Sequence, residues 1–284
     1  MWKRKLCMAA SEQFAQPIEE QIRLFAAVGF EGFFTGWHSG FDITGYAAVA
    51  REEGMMFQSI HAPFTHMAEV WQDGEAGEAA INELIEGLHV AADNAVPIMV
   101  AHAFIGFKDH TPTEIGCERF VRLAREAQRL GIRLAVENTE GEEYLSAVMD
   151  ACRDIPAVGF CWDTGHEQCY NRGRDMTALY GDRLIATHLN DNLGIRNYNG
   201  EITWIDDLHL LPFDGINDWT DIARRLNACS FDGPLTFELN TCSKPGRHEN
   251  DAYAAMPLEQ YLALAYSRAC RIATLCQRLS DNKL

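Results

Sequence analysis

The 284 residues are 47% hydrophobic and carry 41 Asp and Glu against 24 Lys and Arg, a formal charge of -17 with a pI near 4.9. That content can bury a large core, as one big α/β domain or two ordinary ones, and the negative field works against nucleic acid or an anionic membrane, for which no basic run is present. The nine cysteines lie mostly in apolar segments without a CxxC pair, and the opening MWKRKLCMAASEQF has too short an apolar stretch for a secretory signal. With no apolar run near the length of a membrane span, a soluble cytoplasmic protein with free thiols is expected.

Short apolar runs alternate with longer amphipathic segments along the chain. KLCMAA from Lys5 reads as a strand, followed by the helical pattern PIEEQIRLFAAVG. EGFFTGW from Glu31 is the second strand. MFQSIHA from Met56 is the third, with the helix EAAINELIEGLHVAADN behind it. IMVAHAF from Ile98 is followed by TEIGCERFVRLAREAQRLG, and RLAVEN from Arg133 by the amphipathic GEEYLSAVMD. AVGFCWD from Ala157, LIATHLN from Leu184 and PLTFELN from Pro234 complete eight strands, and LEQYLALAYSRACRIATLC closes the chain. Several helical patterns end in the Gly that favours a helix C-terminus. Eight strand-helix units without a linker predict one (β/α)8 barrel over residues 1–284. A doubly wound sheet is the alternative; it would use fewer strands and open on a glycine-rich phosphate loop, which is missing. The longest non-helical segment, DNLGIRNYNGEITWIDDLHLLPFDGINDW, follows the seventh strand, and long loops in compact domains usually carry function.

In such a barrel the chemistry gathers at the C-terminal ends of the strands. Strand three ends in His61, strand four in His102, strand five in Glu137, and strand six in Asp163 with His166 just beyond. Strand seven ends in His188, its loop carries Asp207 and His209, and strand eight ends in Glu238. Taken singly, His61 or His102 reads as a structural histidine, and Asp163 as the cap of the next helix. Glu137 and Glu238 resist that reading, because a carboxylate inside an apolar strand costs several kcal/mol unless paired or metal-bound. A neighbouring Arg such as Arg133 is the alternative partner for Glu137. Mixed carboxylates and imidazoles suit Mn, Co, Zn or Fe rather than Ca, and no cysteine is expected at a matching position. His38, His66 and His110 lie in loops of the same face, where solvated roles are expected, and His89 and His248 receive no role. Trp37, Phe64, Phe104 and Trp204 are expected to wall a pocket or pack loops on the barrel. Lys108, Arg172, Arg174, Arg196, Lys244 and Arg247 fall in active-face loops, yet no phosphate-cradling glycine loop follows strands seven or eight, so an unphosphorylated substrate is expected.

The motifs SIHAPF (59–64), VAHAF (100–104), LAVENT (134–139), GFCWDTGH (159–166), ATHLNDN (186–192), DLHLLPFDGINDW (207–219) and TFELN (236–240) resemble, in order and over nearly the whole chain, the xylose-isomerase-like barrels. That superfamily unites sugar epimerases and isomerases with endonuclease IV. Resemblance to the ketose 3-epimerases implies one divalent metal, Mn, Co or Zn, held by Glu137, Asp163, His188 and Glu238. It also implies Glu137 and Glu238 as acid and base in proton transfer through a metal-stabilised enediolate. His61, His102 and His166 would then bind the substrate, a small sugar or related polyhydroxy carbonyl. Resemblance to endonuclease IV implies a multinuclear zinc site that adds His61, His102, His166, Asp207 and His209, and a phosphodiesterase activity. The scarce, dispersed basic residues argue against nucleic acid as partner. A non-catalytic sugar-binding barrel is the third reading. The loop pattern of the epimerase branch, H-x-x-P-G-x-G-x-I-D-W, is departed from at Phe213 and Asp214, which alters the glycine-rich turn. Substrate, choice among epimerase, isomerase and dehydratase, metal number and a homo-oligomeric state stay open at this level.

Overall fold

A computed structural model describes residues 2–108, 111–196, 201–229 and 231–281. Eight strands, β1 Leu6–Ala10, β2 Gly32–Gly36, β3 Met56–His61, β4 Ile98–His102, β5 Arg133–Glu137, β6 Val158–Asp163, β7 Leu184–His188 and β8 Leu235–Phe237, pair in parallel in the order β7-β6-β5-β4-β3-β2-β1-β8. A parallel bridge between Leu189 and Phe237 closes β7 onto β8, with Leu189 N donating to Thr236 O at 2.8 Å. The result is a single (β/α)8 barrel, as the alternation of runs predicts.

The two-residue period of each strand builds two cores. Val100, Ala135 and Cys161 face inward with Ile98, Ile185 and Ala186, filling the barrel. Their outward neighbours join the larger core beneath the helices, where Phe33, Phe120, Phe160 and Leu235 are fully buried. His102, Glu137 and Asp163 stand two residues beyond Val100, Ala135 and Cys161, so the same alternation aims all three inward at the barrel's top.

The surrounding helices are α1 Ile18–Val28, α2 Ile43–Glu52, α3 Glu75–Asp93, α4 Glu114–Leu130, α5 Glu142–Ala151, α6 Thr164–Cys169, α7 Thr177–Tyr180, α8 Trp219–Ala228, α9 Asp251–Ala254 and α10 Leu258–Asp281. Their ends follow local chemistry. Asp42, Thr113 and Asp218 cap α2, α4 and α8 through side-chain oxygens, and Gly29 and Gly131 close α1 and α4 in the left-handed conformation. After β6 the single long helix of the other units is replaced by the short α6 and α7. Between β7 and α8 lies the long loop foreseen from the sequence, with Trp204–Asp206 forming one 3-10 turn.

Candidate metal centre

Glu137 is the hub of the barrel's top. Its Oε1 meets His188 Nδ1 at 2.8 Å, and its Oε2 lies 3.2 Å from the Nε2 atoms of both His61 and His102. His188 Nδ1 also lies 2.9 Å from Glu238 Oε2, which arrives from the residue after β8. The ligand atoms of Glu137, Asp163, His188 and Glu238 all fall within 4.8 Å of one another. Among the side chains singled out in the sequence, two further groups meet the same limit, His61 with His102 and Glu137, and His166 with Asp207 and His209. All nine side chains singled out in the sequence therefore converge, in three groups with Glu137 shared by two.

Arg133 is not the partner of Glu137. It sits at the exposed start of β5, the opposite end from Glu137, and three imidazoles take its place. Cysteine is not absent either. The inward turn of β6 places buried Cys161 within 4.8 Å of the ligand atoms of Glu137 and His188, one layer below Asp163.

Asp163 does two things at once. Its Oδ1 accepts the His166 N–H at 2.6 Å, capping α6, and its Oδ2 accepts Asn190 Nδ2 at 2.8 Å. The strand end below it is clamped by Asn138, whose Oδ1 accepts Asp163 N at 2.8 Å and whose Nδ2 donates to Asp163 O at 2.9 Å. Behind this corner, buried Glu167 accepts from both Nη atoms of Arg225 at 2.7 Å and from Trp162 Nε1 at 2.9 Å. The loop bearing Asp207 and His209 hangs on buried Asp191, which accepts from Phe213 N, Trp219 Nε1 and Asn217 N. Phe213 adopts φ 75° at the position where the epimerase pattern has glycine, with the Arg271 guanidinium 3.8 Å above its ring. Of these supports, Asn138, Asn190 and Asp191 lie inside the quoted motifs, but their roles become visible only when the strands are side by side.

Burial and mutual charge set the titration of the group. Burial alone would raise Glu137, yet His188, His102 and His61 hold it well below the carboxylate range. Burial, outweighing His166 and reinforced by Glu137, pushes Asp163 up to about 6. Against burial, His188 and His209 hold Glu238 down to about 2. Burial opposes charging of His188, but Glu137 and Glu238 raise it well above the imidazole range, and Asp207 and Glu238 likewise raise His209 to about 9. Two buried carboxylates, Glu137 and Asp163, with part-buried Glu238 beside them call for a cation, and His188 Nε2 and His102 Nδ1 are buried polar atoms without a hydrogen-bond partner among the described residues. This donor set, three carboxylates and an imidazole, fits a divalent transition metal.

A cleft of about 920 Å³ opens above the group. Glu137, Glu238, His61, His102, His166, Asp207 and His209 line it, together with Trp37, Phe64 and Trp204. His38 and His66 also line it, whereas Phe104 is buried and stacks on Tyr144. His89 pairs with Glu126 and His248 with Asp251, and His110 lies outside the described residues. Among the loop cations, Lys244 lines the cleft 3.6 Å from Asp207, while Arg174 pairs with Glu142 and Arg247 with Glu249.

A closed parallel barrel whose strand ends converge on carboxylates and imidazoles defines a (β/α)8 protein with a polar centre at its C-terminal face. The chain belongs to the xylose isomerase-like TIM barrel family, whose model matches residues 22–257. It is 32% identical over 169 residues to the uncharacterized protein y4fM of Sinorhizobium fredii (strain NBRC 101917 / NGR234), covering 57% of this chain and 49% of that protein. The match thus spans about half the length of that relative. Among solved structures, an L-ribulose 3-epimerase superposes with a TM-score of 0.71 at 15% identity, covering 99% of this chain and 97% of that one. The D-psicose 3-epimerase of Clostridium cellulolyticum H10, solved with D-tagatose, gives 0.66 at 16% identity over 97% and 99%. A fusion of a xylose isomerase-like TIM barrel with a 4-hydroxyphenylpyruvate dioxygenase gives 0.73 at 16%, covering 99% of this chain and 44% of the fusion. At these identities the likeness is one of fold. Among the described residues no helix is long and apolar enough to cross a membrane.

Proposed function

We propose that this protein is a divalent-metal-dependent isomerase or epimerase of a small polyhydroxy carbonyl compound such as a ketose. The observation that carries the reading is the pair Glu137 and Glu238. They come from separate strands, both contact His188 Nδ1, and both face one cleft. Glu137, Asp163, His188 and Glu238 would hold the metal. When bound, it supplies Lewis-acid polarisation of the substrate carbonyl and its neighbouring oxygen. Glu238 and Glu137 take and return the proton at the carbon beside the carbonyl. Use of both carboxylates on opposite faces gives epimerisation, and use of one gives aldose-ketose exchange. His61, His102 and His166 orient hydroxyl groups. Similarity in fold to the 3-epimerases supports the same class.

A second reading has a specific observation behind it. The donor groups formed by the nine side chains fit the multinuclear zinc site implied by resemblance to endonuclease IV, with Glu137 shared by two of them. The cleft itself favours the isomerase, since Glu12, Glu83, Glu137, Asp207 and Glu238 line it against Lys244, the one Lys or Arg among the described residues that line it. A phosphodiester backbone would meet repulsion there.

The test is elemental analysis of protein purified without chelator, together with turnover of a ketose panel by wild type, Glu137→Gln and Glu238→Gln. The expected result is about one transition-metal ion per chain and a loss of roughly 10²–10⁴-fold in each variant. Full turnover by Glu137→Gln on every active sugar would sink the assignment. Two or three zinc ions with incision of an abasic duplex would establish the hydrolase.

A further inference from the structure

The loop that follows β8 sets a cation beside each of two consecutive carboxylates on the loop that follows β7. Arg247 Nη1 lies 4.0 Å from Asp206 Oδ1, and Lys244 Nζ lies 3.6 Å from Asp207 Oδ2. Neither Arg247 nor Asp206 lines the cleft, and Asp206 also accepts Thr203 N, as a structural clamp would. Lys244 and Asp207 both line it. The Lys244 side chain is only 17% exposed, unusual for a lysine, and its ammonium lies 5.4 Å from the Trp204 ring centroid. Asp207 in turn belongs to the group with His166 and His209. His209 Nε2 is 2.8 Å from its Oδ2 and His166 Nε2 is 3.5 Å from its Oδ1, a buried atom without a hydrogen-bond partner among the described residues. Two imidazoles and a carboxylate are a complete set of protein donors for a zinc ion.

Charge separates this group from the one around His188. Imidazoles take up or release a proton as their neighbours require, so the lasting charges are those of the carboxylates, Lys and Arg. Glu137, Asp163 and Glu238 bring three carboxylates within ligand distance of one another, and among the described residues no Lys or Arg lies within 4 Å of any of them. Asp207 is a single carboxylate, and the Lys244 ammonium already answers it. The first group therefore calls for a divalent ion, whereas a divalent ion in the second would face an ammonium across the same aspartate. Two such charges about 4 Å apart, at an effective dielectric near 20, repel strongly enough to weaken binding by more than roughly 100-fold.

We propose that Lys244 fixes the number of metal ions in the centre: its ammonium stands in for a second cation at Asp207 and keeps His166 and His209 free of metal. The two histidines are then left to meet substrate hydroxyl groups. The inference rests on the isomerase reading above, and it names the residue that separates a single-metal centre from a multinuclear one built on the same nine side chains.

The experiment counts zinc ions in the whole protein by elemental analysis and calorimetry, with folding checked by circular dichroism. Wild type is compared with Lys244→Met, Lys244→Arg, Asp207→Asn and the double variant Lys244→Met/Asp207→Asn. Methionine keeps an apolar stem beside Trp204 and removes the charge, whereas arginine keeps the charge. Lys244→Gln is a second neutral replacement with the same expectation as Lys244→Met. Zinc held by exposed Cys242 is common to all of these proteins, so the differences between them carry the result. The expected result is one more ion per chain in Lys244→Met than in wild type, bound roughly 100-fold more tightly than any such ion in wild type. Lys244→Arg, Asp207→Asn and the double variant should all match the wild-type count. No gain in either neutral variant overturns the proposal. So does a gain that appears in Lys244→Arg or survives Asp207→Asn, and so does a wild-type count that drops by one in Asp207→Asn. Ketose turnover that depends on Glu137, with no ion gained in either neutral variant, would refute this inference and leave the isomerase reading intact. An ion gained at Asp207 by a protein that turns over no ketose would do the reverse.

Discussion

Glu167→Gln tests how the corner between β6 and α6 is held, and its effect can be worked from the contacts. The Glu167 carboxylate is 3% exposed and accepts four N–H groups: Arg225 Nη1 at 2.7 Å on Oε1, then Arg225 Nη2 at 2.7 Å, Trp162 Nε1 at 2.9 Å and Met176 N at 3.1 Å on Oε2. A glutamine amide keeps one oxygen for the three donors on Oε2 and turns its NH2 toward Arg225 Nη1. One charge-assisted bond is lost, about 1.5–3 kcal/mol, and a part-buried guanidinium loses its main counter-charge. Asp175 still accepts from Arg225 Nη2 at 2.5 Å, but its side chain is 51% exposed and screened, so it recovers little. The expected destabilisation is about 2–4 kcal/mol, read as a lower urea midpoint with unchanged slope and a melting point lowered by roughly 5–10 °C. Adding Arg225→Met should restore part of the loss, because the uncompensated charge goes with it. A loss below about 1 kcal/mol for Glu167→Gln would refute the view that this brace holds the corner carrying Asp163 and His166.

Metal binding should depend on pH with a definite sign. In the metal-free protein burial opposes the charging of His188, but Glu137 and Glu238 together raise its pKa well above the imidazole range, which favours the protonated ring. An incoming cation must displace that proton, so loading releases protons and affinity falls as pH drops; calorimetry in buffers of different ionisation enthalpy reads this, and an affinity flat between about pH 6 and 8 would contradict it. Gly215→Ala places a Cβ 2.2 Å from Asp191 Oδ1 and 2.3 Å from Asn192 O, so the loop that hangs on Asp191 must shift. It should cost about 1–3 kcal/mol by urea denaturation and lower turnover, and unchanged values for both would contradict the role given to Asp191. With a formal charge of -17, the protein should process its preferred neutral substrate with kcat/KM insensitive to ionic strength. A rate that climbs with added salt would instead identify an anionic substrate whose repulsion is being screened.

The barrel was legible because its strands are short apolar runs bounded by helices, and a strand's alternation carries its last inward residue to the top of the barrel. His102, Glu137 and Asp163 follow directly from that rule. The same rule, applied one step earlier on β6, places Cys161 beneath them, a consequence the residue types alone did not suggest. What escaped the sequence is what spans it. The Arg225 to Glu167 pair joins residues 58 apart, and Asp191 reaches Trp219 across 28. Nothing local to α6 or α8 announces either bond. Arg133 was the alternative partner for Glu137 because the two are near in sequence, but four residues along a strand put them at opposite ends of it. Phe213 marks a departure from the loop pattern whose structural content is a left-handed backbone, with its N–H on Asp191 and its ring under Arg271 of α10.

Within the proposed reaction the two glutamates are not equivalent. Glu137 is 1% exposed, and imidazoles occupy both of its oxygens, His188 on one and His61 with His102 on the other. The Glu238 side chain is 27% exposed and has His188 as its one imidazole contact within 4 Å among the described residues. A group that must meet a substrate C–H needs an oxygen free to approach it, and Glu238 has one without breaking any contact. Glu137 must first give up an imidazole, so its basicity answers to how His61 and His102 are engaged. If those two histidines bind substrate hydroxyls, substrate arrival itself frees Glu137 for its turn. The reaction would then run in order, Glu238 engaging first and Glu137 second, with the histidine pair linking recognition to the second proton transfer.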